Sequence, residues 1–306
     1  WNTGQFNSMF AFFYRSSPAR RNYWNEEDPS KLTYLGPGGI YYYPDWSPNI
    51  GGWDVGNVET FSSCFYQCGT FNDDLSGWNV SSATNFNRMF YECFLFDRNL
   101  SSWDVSSGTD FAEMFYECDV FNNGGDPGID NWDMSSATSL EEMFHGASSF
   151  NQPIGSWDTS GNTSLFRTFN GARVFNQDVG NWDTSNVTNM HQTFRIADLF
   201  NQNLSSWDVS SVTDMSSMFR ATDFNQPIGS WDISSCTDIS DMFTDAQSFN
   251  QPLNSWDTSN VTVMDGMFQR AYDFNQDLSS WNTSNVTDMT LMFNAADAFN
   301  QDIGGW

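Results

Sequence analysis

The chain has 306 residues, of which 38 are Asp or Glu and 11 are Lys or Arg, for a formal net charge of −27. Such a field repels nucleic acid and anionic membrane surfaces, whose phosphates are held through basic patches, and no apolar run approaches the roughly 20 residues that cross a bilayer. Aromatic residues at 17% exclude a disordered polyelectrolyte, so a large aromatic core is expected.

Residues 1–10 form a partial repeat: Phe6-Asn-Ser-Met9-Phe10 matches the later phrase Phe86-Asn-Arg-Met89-Phe90, although Trp1 stands three residues too close. Residues 11–49 are an irregular insertion carrying Arg15, Arg20, Arg21 and Lys31, then Tyr34, Tyr41, Tyr42, Tyr43 and Trp46 among Pro and Gly. Two readings stay open. One is a long loop folded over the first repeats; the other is an assembly contact in which Arg15, Arg20, Arg21, Tyr41, Tyr42, Tyr43 and Trp46 dock on the acidic flank of another copy. The chain starts without Met or a signal peptide and stops on a repeat's own Trp306, so both ends read as cuts and the array is expected to continue.

From residue 50 a phrase returns: Ile50-Gly-Gly-Trp53 recurs as Ile303-Gly-Gly-Trp306. Tryptophan falls at 53, 78, 103, 132, 157, 182, 207, 231, 256, 281 and 306, a spacing of 25 but for one 29 and one 24. Self-similarity at this period means stacked units, none able to bury its apolar face alone. Residues 50–306 are therefore a repeat solenoid of about ten rungs. Around Trp207, apolar and polar residues alternate as in a short strand; Met215, Met218 and Phe219 then recur at three and four residues, the period of a short helix or 3₁₀ turn. Each rung is predicted to hold one short parallel strand, a Ser/Thr/Asn/Asp turn and that helix. An α-helix on one face would curve the stack; thinner 3₁₀ turns would leave it straighter.

Three aromatic columns follow from the register. They run through the Trp, through Phe65, Phe90, Phe115 and their equivalents, and through Phe71, Phe96, Phe121 and theirs. Next comes an Asn column (Asn72, Asn122, Asn151, Asn176 and onward, with Asp97 the exception), read as hydrogen-bonding up the stack at a bend. Asn123-Gly-Gly-Asp-Pro-Gly128 is a small insertion. Cys68, Cys93 and Cys118 share one phase where later rungs carry residues such as Ala197; they are either small core residues or, if the turns are tight, disulfide partners. Cys236 replaces a buried Val, and the odd total of five leaves the redox compartment open.

The motif Phe-Asn-Gln-(Asp/Pro)-(Leu/Ile)-x-x-Trp-Asp-(Val/Thr/Ile)-Ser-x-x-Thr-x-Met-x-x-Met-Phe-x-x-Ala resembles the 25-residue repeat of the BspA-like leucine-rich-repeat superfamily, in its Mycoplasma-lipoprotein form. Phe65-x-x-Cys68-x-x-Phe71 and its two successors are similar to the Phe-x-x-Cys-x-x-Leu phrase of that repeat. The resemblance covers Trp53 to Trp306. It implies a leucine-rich-repeat-like solenoid exposed at the cell surface, used for adhesion or assembly, with no catalytic residues to carry over.

Asp54, Asp104, Asp133, Asp158, Asp183, Asp208, Asp232 and Asp257 follow the Trp column, with Asn79 and Asn282 as the breaks. Each caps the Ser-containing turn after it, or the column binds Ca²⁺ between rungs; no other cofactor is expected. Asn-x-Ser/Thr sequons stand at Asn79, Asn99, Asn162, Asn186, Asn203, Asn260, Asn282 and Asn285, candidates for N-glycosylation if the protein is secreted by a eukaryote. His145 and His191 lie in different rungs, and no His-Glu-x-x-His, Gly-x-Ser-x-Gly or phosphate-loop phrase occurs, so no enzyme is expected. The expectation is an extracellular structural building block of a surface layer, appendage or filament, whose partners are copies of itself or other surface proteins. The alternative is a recognition module for a protein or glycan on a concave sheet face, whose outward strand positions should vary from rung to rung, whereas Leu-Ser-Ser-Trp-Asp recurs with little change.

Overall fold

Every buried backbone N–H and C=O needs a partner, and the rungs meet this need mainly from one to the next. The N–H groups of Phe61, Ser63, Phe65 and Gln67 donate to the carbonyls of Asn85, Asn87, Met89 and Tyr91 at 2.7–2.8 Å, and the pattern repeats up the stack. Between them, Cys64, Tyr66 and Cys68 donate to the carbonyls of Phe61, Ser63 and Phe65, closing consecutive four-residue turns. Peptide units thus alternate between lying along the stack and lying within a rung. That alternation places Ser63 and Gln67 in the left-handed region at φ 55° and 58°, and Arg88 and Glu92, Glu113 and Glu117, and the equivalent pairs of every later rung do the same.

The computed structural model describes residues 49–306 and, ahead of them, strands β1 (Thr33–Tyr34) and β2 (Tyr41–Tyr42), paired antiparallel with Thr33 opposite Tyr42. Residues 1–10, and Arg15, Arg20, Arg21, Tyr43 and Trp46 of the insertion, lie outside the described residues; of Tyr41 and Tyr42 only the strand is described.

The solenoid is present, and two expectations within the rung are corrected. Among the described residues no strand forms at the Trp. Isolated parallel bridges run instead seven residues later, through Thr60, Asn85, Asp110 and Ser139 and through Ser164, Asn189, Asp214, Asp238, Val263 and Asp288. The Trp edge alternates in burial as a strand would, but its backbone closes local turns, Trp182 N–H to Val179 and Val187 N–H to Thr184. The Met-Phe segment is not a helix either: apolar residues at i, i+3, i+4 and i+7 point inward, yet the turns with left-handed residues produce that spacing. The only 3₁₀ helices among the described residues are Asn123–Gly125 and Pro127–Asn131, both arising from the small insertion, where buried Asn123 donates to Ser101 Oγ and Asp126 O.

Side chains bind the remaining edges. Each indole Nε1 from Trp78 to Trp306 donates to a carbonyl of the preceding rung, as Trp182 does to Ile154 at 3.0 Å. The Asn column hydrogen-bonds up the stack as expected. Asn72 Oδ1 accepts from Asp97 N–H, Asp97 Oδ1 from Asn122 N–H, and so on without a break to Asn300, at 2.9–3.0 Å. The Phe columns fill the core, with Phe169 fully buried and stacked at 5.7 Å on Phe144 and 5.5 Å on Phe194. Phe169→Ala is therefore expected to lower the unfolding free energy by about 3–5 kcal/mol in urea titration; a loss under about 1 kcal/mol would mean that the stacked column is not the core.

Candidate functional site

Around each rung the turns of the ladder segment send two pairs of side chains outward, at the positions of Ser62, Ser63, Tyr66 and Gln67 in the first rung. These positions change from rung to rung, while the Trp and Asn edges stay nearly constant. The first pair reads Asn87-Arg88, Ala112-Glu113, Glu141-Glu142, Phe166-Arg167, His191-Gln192, Ser216-Ser217, Ser240-Asp241 and Asp265-Gly266 on successive rungs. Arg88, Arg167, Arg195, Arg220 and Arg270 all lie on this face, leaving only Arg98 and Arg173 elsewhere among the described residues.

At one end the rings of Tyr66, Tyr91, Tyr116 and His145 stack face to face at 4.6, 4.4 and 4.4 Å. Arg88 holds Glu113 through two contacts of 2.9 and 2.6 Å. Glu117 and Glu142 have carboxyls raised above their ordinary values, first by burial and then by neighbouring carboxylates, Asp119 and Glu92 for the former and Glu113 for the latter. In the middle the charge reverses. The Arg167 guanidinium lies 4.7 Å over the Phe166 ring, which stacks on His191 at 5.5 Å. Arg195, with no ion pair to any described residue, is lowered by burial and by Arg220 and Arg167 beside it. Burial, then Arg167 and Arg195, push the His145 imidazole down to about 4, so it is neutral near pH 7 and its 3.5 Å approach to Glu142 is not an ion pair. Beyond Arg220, which reaches Asp241 at 3.1 Å, carboxylates outnumber the one arginine, Arg270, which pairs with Asp245 at 3.4 Å; Asp265 is raised by burial and by Asp241 and Asp288. Exposed apolar side chains line the next corner, with Leu95 51% and Leu199 49% accessible.

The residues singled out by sequence lie elsewhere. The Asp column is exposed on the Trp edge, and each member from Asp54 to Asp257 accepts the N–H two residues on, as Ser185 N–H to Asp183 at 3.0 Å; Asn79 and Asn282 do the same. This is the Asx turn, and it explains why Asn substitutes freely. Among the described residues no three His, Cys, Asp or Glu side chains converge as a metal site would require. No disulfide joins Cys68, Cys93 and Cys118. Cys93 and Cys118 donate instead to the Phe65 and Phe90 carbonyls at 3.1 and 3.0 Å, which uses the thiol where a small buried residue is needed.

Of the sequons, Asn162 is fully buried, with its Nδ2 3.3 Å from Thr159 O, and has no room for a glycan. Asn99 is half-buried and donates to Asp126. Asn186, Asn260 and Asn285 are exposed but donate to carbonyls of the previous rung. Asn79, Asn203 and Asn282 are exposed and accept through Oδ1. Sequence reasoning missed the ladder face because it placed the strand at the Trp. The signal was in plain view as the non-repeating residues between the Met-Phe pairs.

A stacked chain of short parallel bridges, with apolar columns inside and turns at each edge, defines the class: a solenoid of tandem repeats. More narrowly, the chain belongs to the family described as Mycoplasma protein of unknown function, DUF285, whose model matches residues 41–127, 124–226 and 220–306 in tandem. Among solved structures it is similar to a leucine-rich repeat protein from Bacteroides ovatus ATCC 8483, with 14% identity, covering 81% of this chain and 73% of that one at a TM-score of 0.31. No curated protein matches it. Among the described residues no helix is long and apolar enough to cross a membrane.

Two outcomes follow from these side chains. The Ser hydroxyls and amides hold the Asp133, Asp183, Asp232 and Asp257 carboxyls below the ordinary value. Their stabilisation is complete above the unfolded Asp value of about 4 and is lost as pH falls through the lower folded values. Asp183→Asn keeps the turn acceptor and is expected to shrink the drop in Tm between about pH 5 and pH 2; an unchanged drop would remove the Asx column from the acid response. Burial raises the Cys93 and Cys118 thiols well above their ordinary value, so both should resist a thiol reagent until the chain unfolds, and rapid labelling of the native protein would contradict their placement.

Proposed function

We propose that this chain is a non-catalytic recognition module of an extracellular or cell-surface protein, binding a macromolecular partner along the ladder face. The observation that carries the reading is the contrast between a face whose set of outward residues changes along the stack and edges whose residues hardly differ. Fold-bearing positions repeat because each rung must match its neighbours; positions with no such duty are the ones free to fit a particular surface. A face with Tyr, Arg and exposed Leu also has the composition of a protein-binding surface.

A building block of a surface layer, appendage or filament is the second reading. It is favoured by the exposed Asp of the Trp edge, which offers one identical contact per rung. Self-association seen by light scattering with Ca²⁺, and lost with chelator, would support it.

The two are separated by surface variants assayed for adhesion to the native cell surface. Arg195→Glu with Leu199→Ser, on the ladder face and its corner, is expected to weaken binding about tenfold or more. Asp183→Asn with Asp208→Asn, on the Trp edge, should leave it unchanged. Equal losses from both pairs, or a loss only from the second, would refute recognition by the ladder face.

A further inference from the structure

The charges on this face are sorted into zones. Glu113, Glu117, Glu141 and Glu142 occupy two adjacent rungs, Arg167, Arg195 and Arg220 the next three, and Asp241, Asp245 and Asp265 the two after those, where Arg220 pairs with Asp241 and Arg270 with Asp245. Acidic residues outnumber basic ones 38 to 11 in the chain, so an arginine has carboxylates to choose from. Yet Arg167 and Arg195 form no ion pair with any described residue, and Arg195 feels Arg220 and Arg167 more strongly than it feels the carboxylate of Asp241. Arg195 and Arg220 stand in one column on adjacent rungs, and like charges at that spacing of about 5 Å repel by up to about 1 kcal/mol even in water.

Building on the recognition reading, we infer that the partner is a polypeptide carrying both signs of charge, an acidic segment seated over Arg167 and Arg195 between two basic segments seated over the flanking acids. Nucleic acids, acidic glycans and anionic lipid surfaces carry one sign only; any of them long enough to pass the arginine zone meets carboxylates on both sides. A chain of amino acids can change sign from one residue to the next and so can match all three zones. From the rung of Glu117 to that of Asp265 there are six intervals of about 4.8 Å, a length that an extended segment of about nine residues covers.

The test uses two labelled twelve-residue peptides of the same composition, titrated with the whole chain by fluorescence anisotropy at low salt. One carries a central block of four aspartates between two blocks of four lysines; the other carries a central block of eight lysines between two pairs of aspartates. The peptide with the acidic centre is expected to bind at least about tenfold more tightly. The double variant Arg167→Glu, Arg195→Glu should abolish or reverse the preference. It is expected to fold, because Glu113 and Glu142 already occupy the Arg167 position in other rungs, and circular dichroism checks that it has. Equal affinities for the two peptides, or a preference that survives in the double variant, would overturn the inference. So would an oligogalacturonate that binds the native chain more tightly than either peptide and loses binding in the double variant, since that makes the partner a glycan. If the peptides fail while the ladder-face pair still weakens cell-surface adhesion, recognition stands and only the charge pattern of its partner is refuted.

Discussion

The rung-to-rung hydrogen bonding of alternate peptide units is the constraint on which the rest depends. Four peptide units per rung lie along the stack and point the same way, each carbonyl toward the preceding rung and each N–H toward the next. For this to happen within one short segment the intervening units must turn through a right angle, and the geometry that does so puts two residues per rung at positive φ. L-residues there cost about 1 kcal/mol or more. Glycine serves at Gly146, Gly171 and Gly266, but the β-branched Ile196 is held at φ 58°. The strain persists because those same residues donate into the ladder, Ile196 to Arg220 at 2.8 Å, and because rings stacked above and below leave no other arrangement for the turn.

From that constraint the division between constant and varying residues follows. The ladder is made by backbone, which any side chain supplies, so its outward positions are released from structural duty. The other edges are made by side chains: an indole that must reach one carbonyl, an amide that must both accept and continue a column. Those edges cannot vary. The molecule is thereby split into surfaces that specify the fold and one surface available for specificity, and the second is also where the rings of Tyr91 and Tyr116 and, among the described residues, most of the arginines are found.

The parts of the fold legible in the sequence were the ones written in side chains. The Trp period, the Phe columns and the Asn column each name a residue type that must stack on its own kind, and each stands where the register placed it. The elements within a rung were less legible because hydrophobic period reports which residues face inward, and different backbones share a period. Phe-x-x-Met-Phe-x-x-Ala buries i, i+3, i+4 and i+7 whether it coils as a helix or folds as consecutive turns; nothing in Met215, Met218 and Phe219 separates the two. Short turn residues around Ser217 and Gly266 were the available hint. The alternation at Trp207 likewise reported burial truly and hydrogen bonding falsely, since an indole and local turns had taken over the work of a strand. Misplacing the strand misplaced the candidate surface, and the repetitive Asp edge was weighed in place of the ladder face.

Charge on the ladder face then has to be judged against what the fold alone would accept. At the outward positions other rungs manage with Ala112, Ser216, Ser217 or Ala221, so neither a carboxylate nor a guanidinium is needed for stacking. Columns of neighbours one rung apart make clustering costly, and an interleaved arrangement of the same residues would have given Arg167 and Arg195 carboxylate partners, as Arg88 has Glu113, Arg220 has Asp241 and Arg270 has Asp245. The sorted arrangement therefore leaves the isolated module less stable than it could be. A term that weakens the free chain and is relieved only by a partner of matching pattern acts as selectivity: it is small beside the burial of ten aromatic rungs, so the fold tolerates it, but it is large beside the difference between a fitting partner and a wrong one.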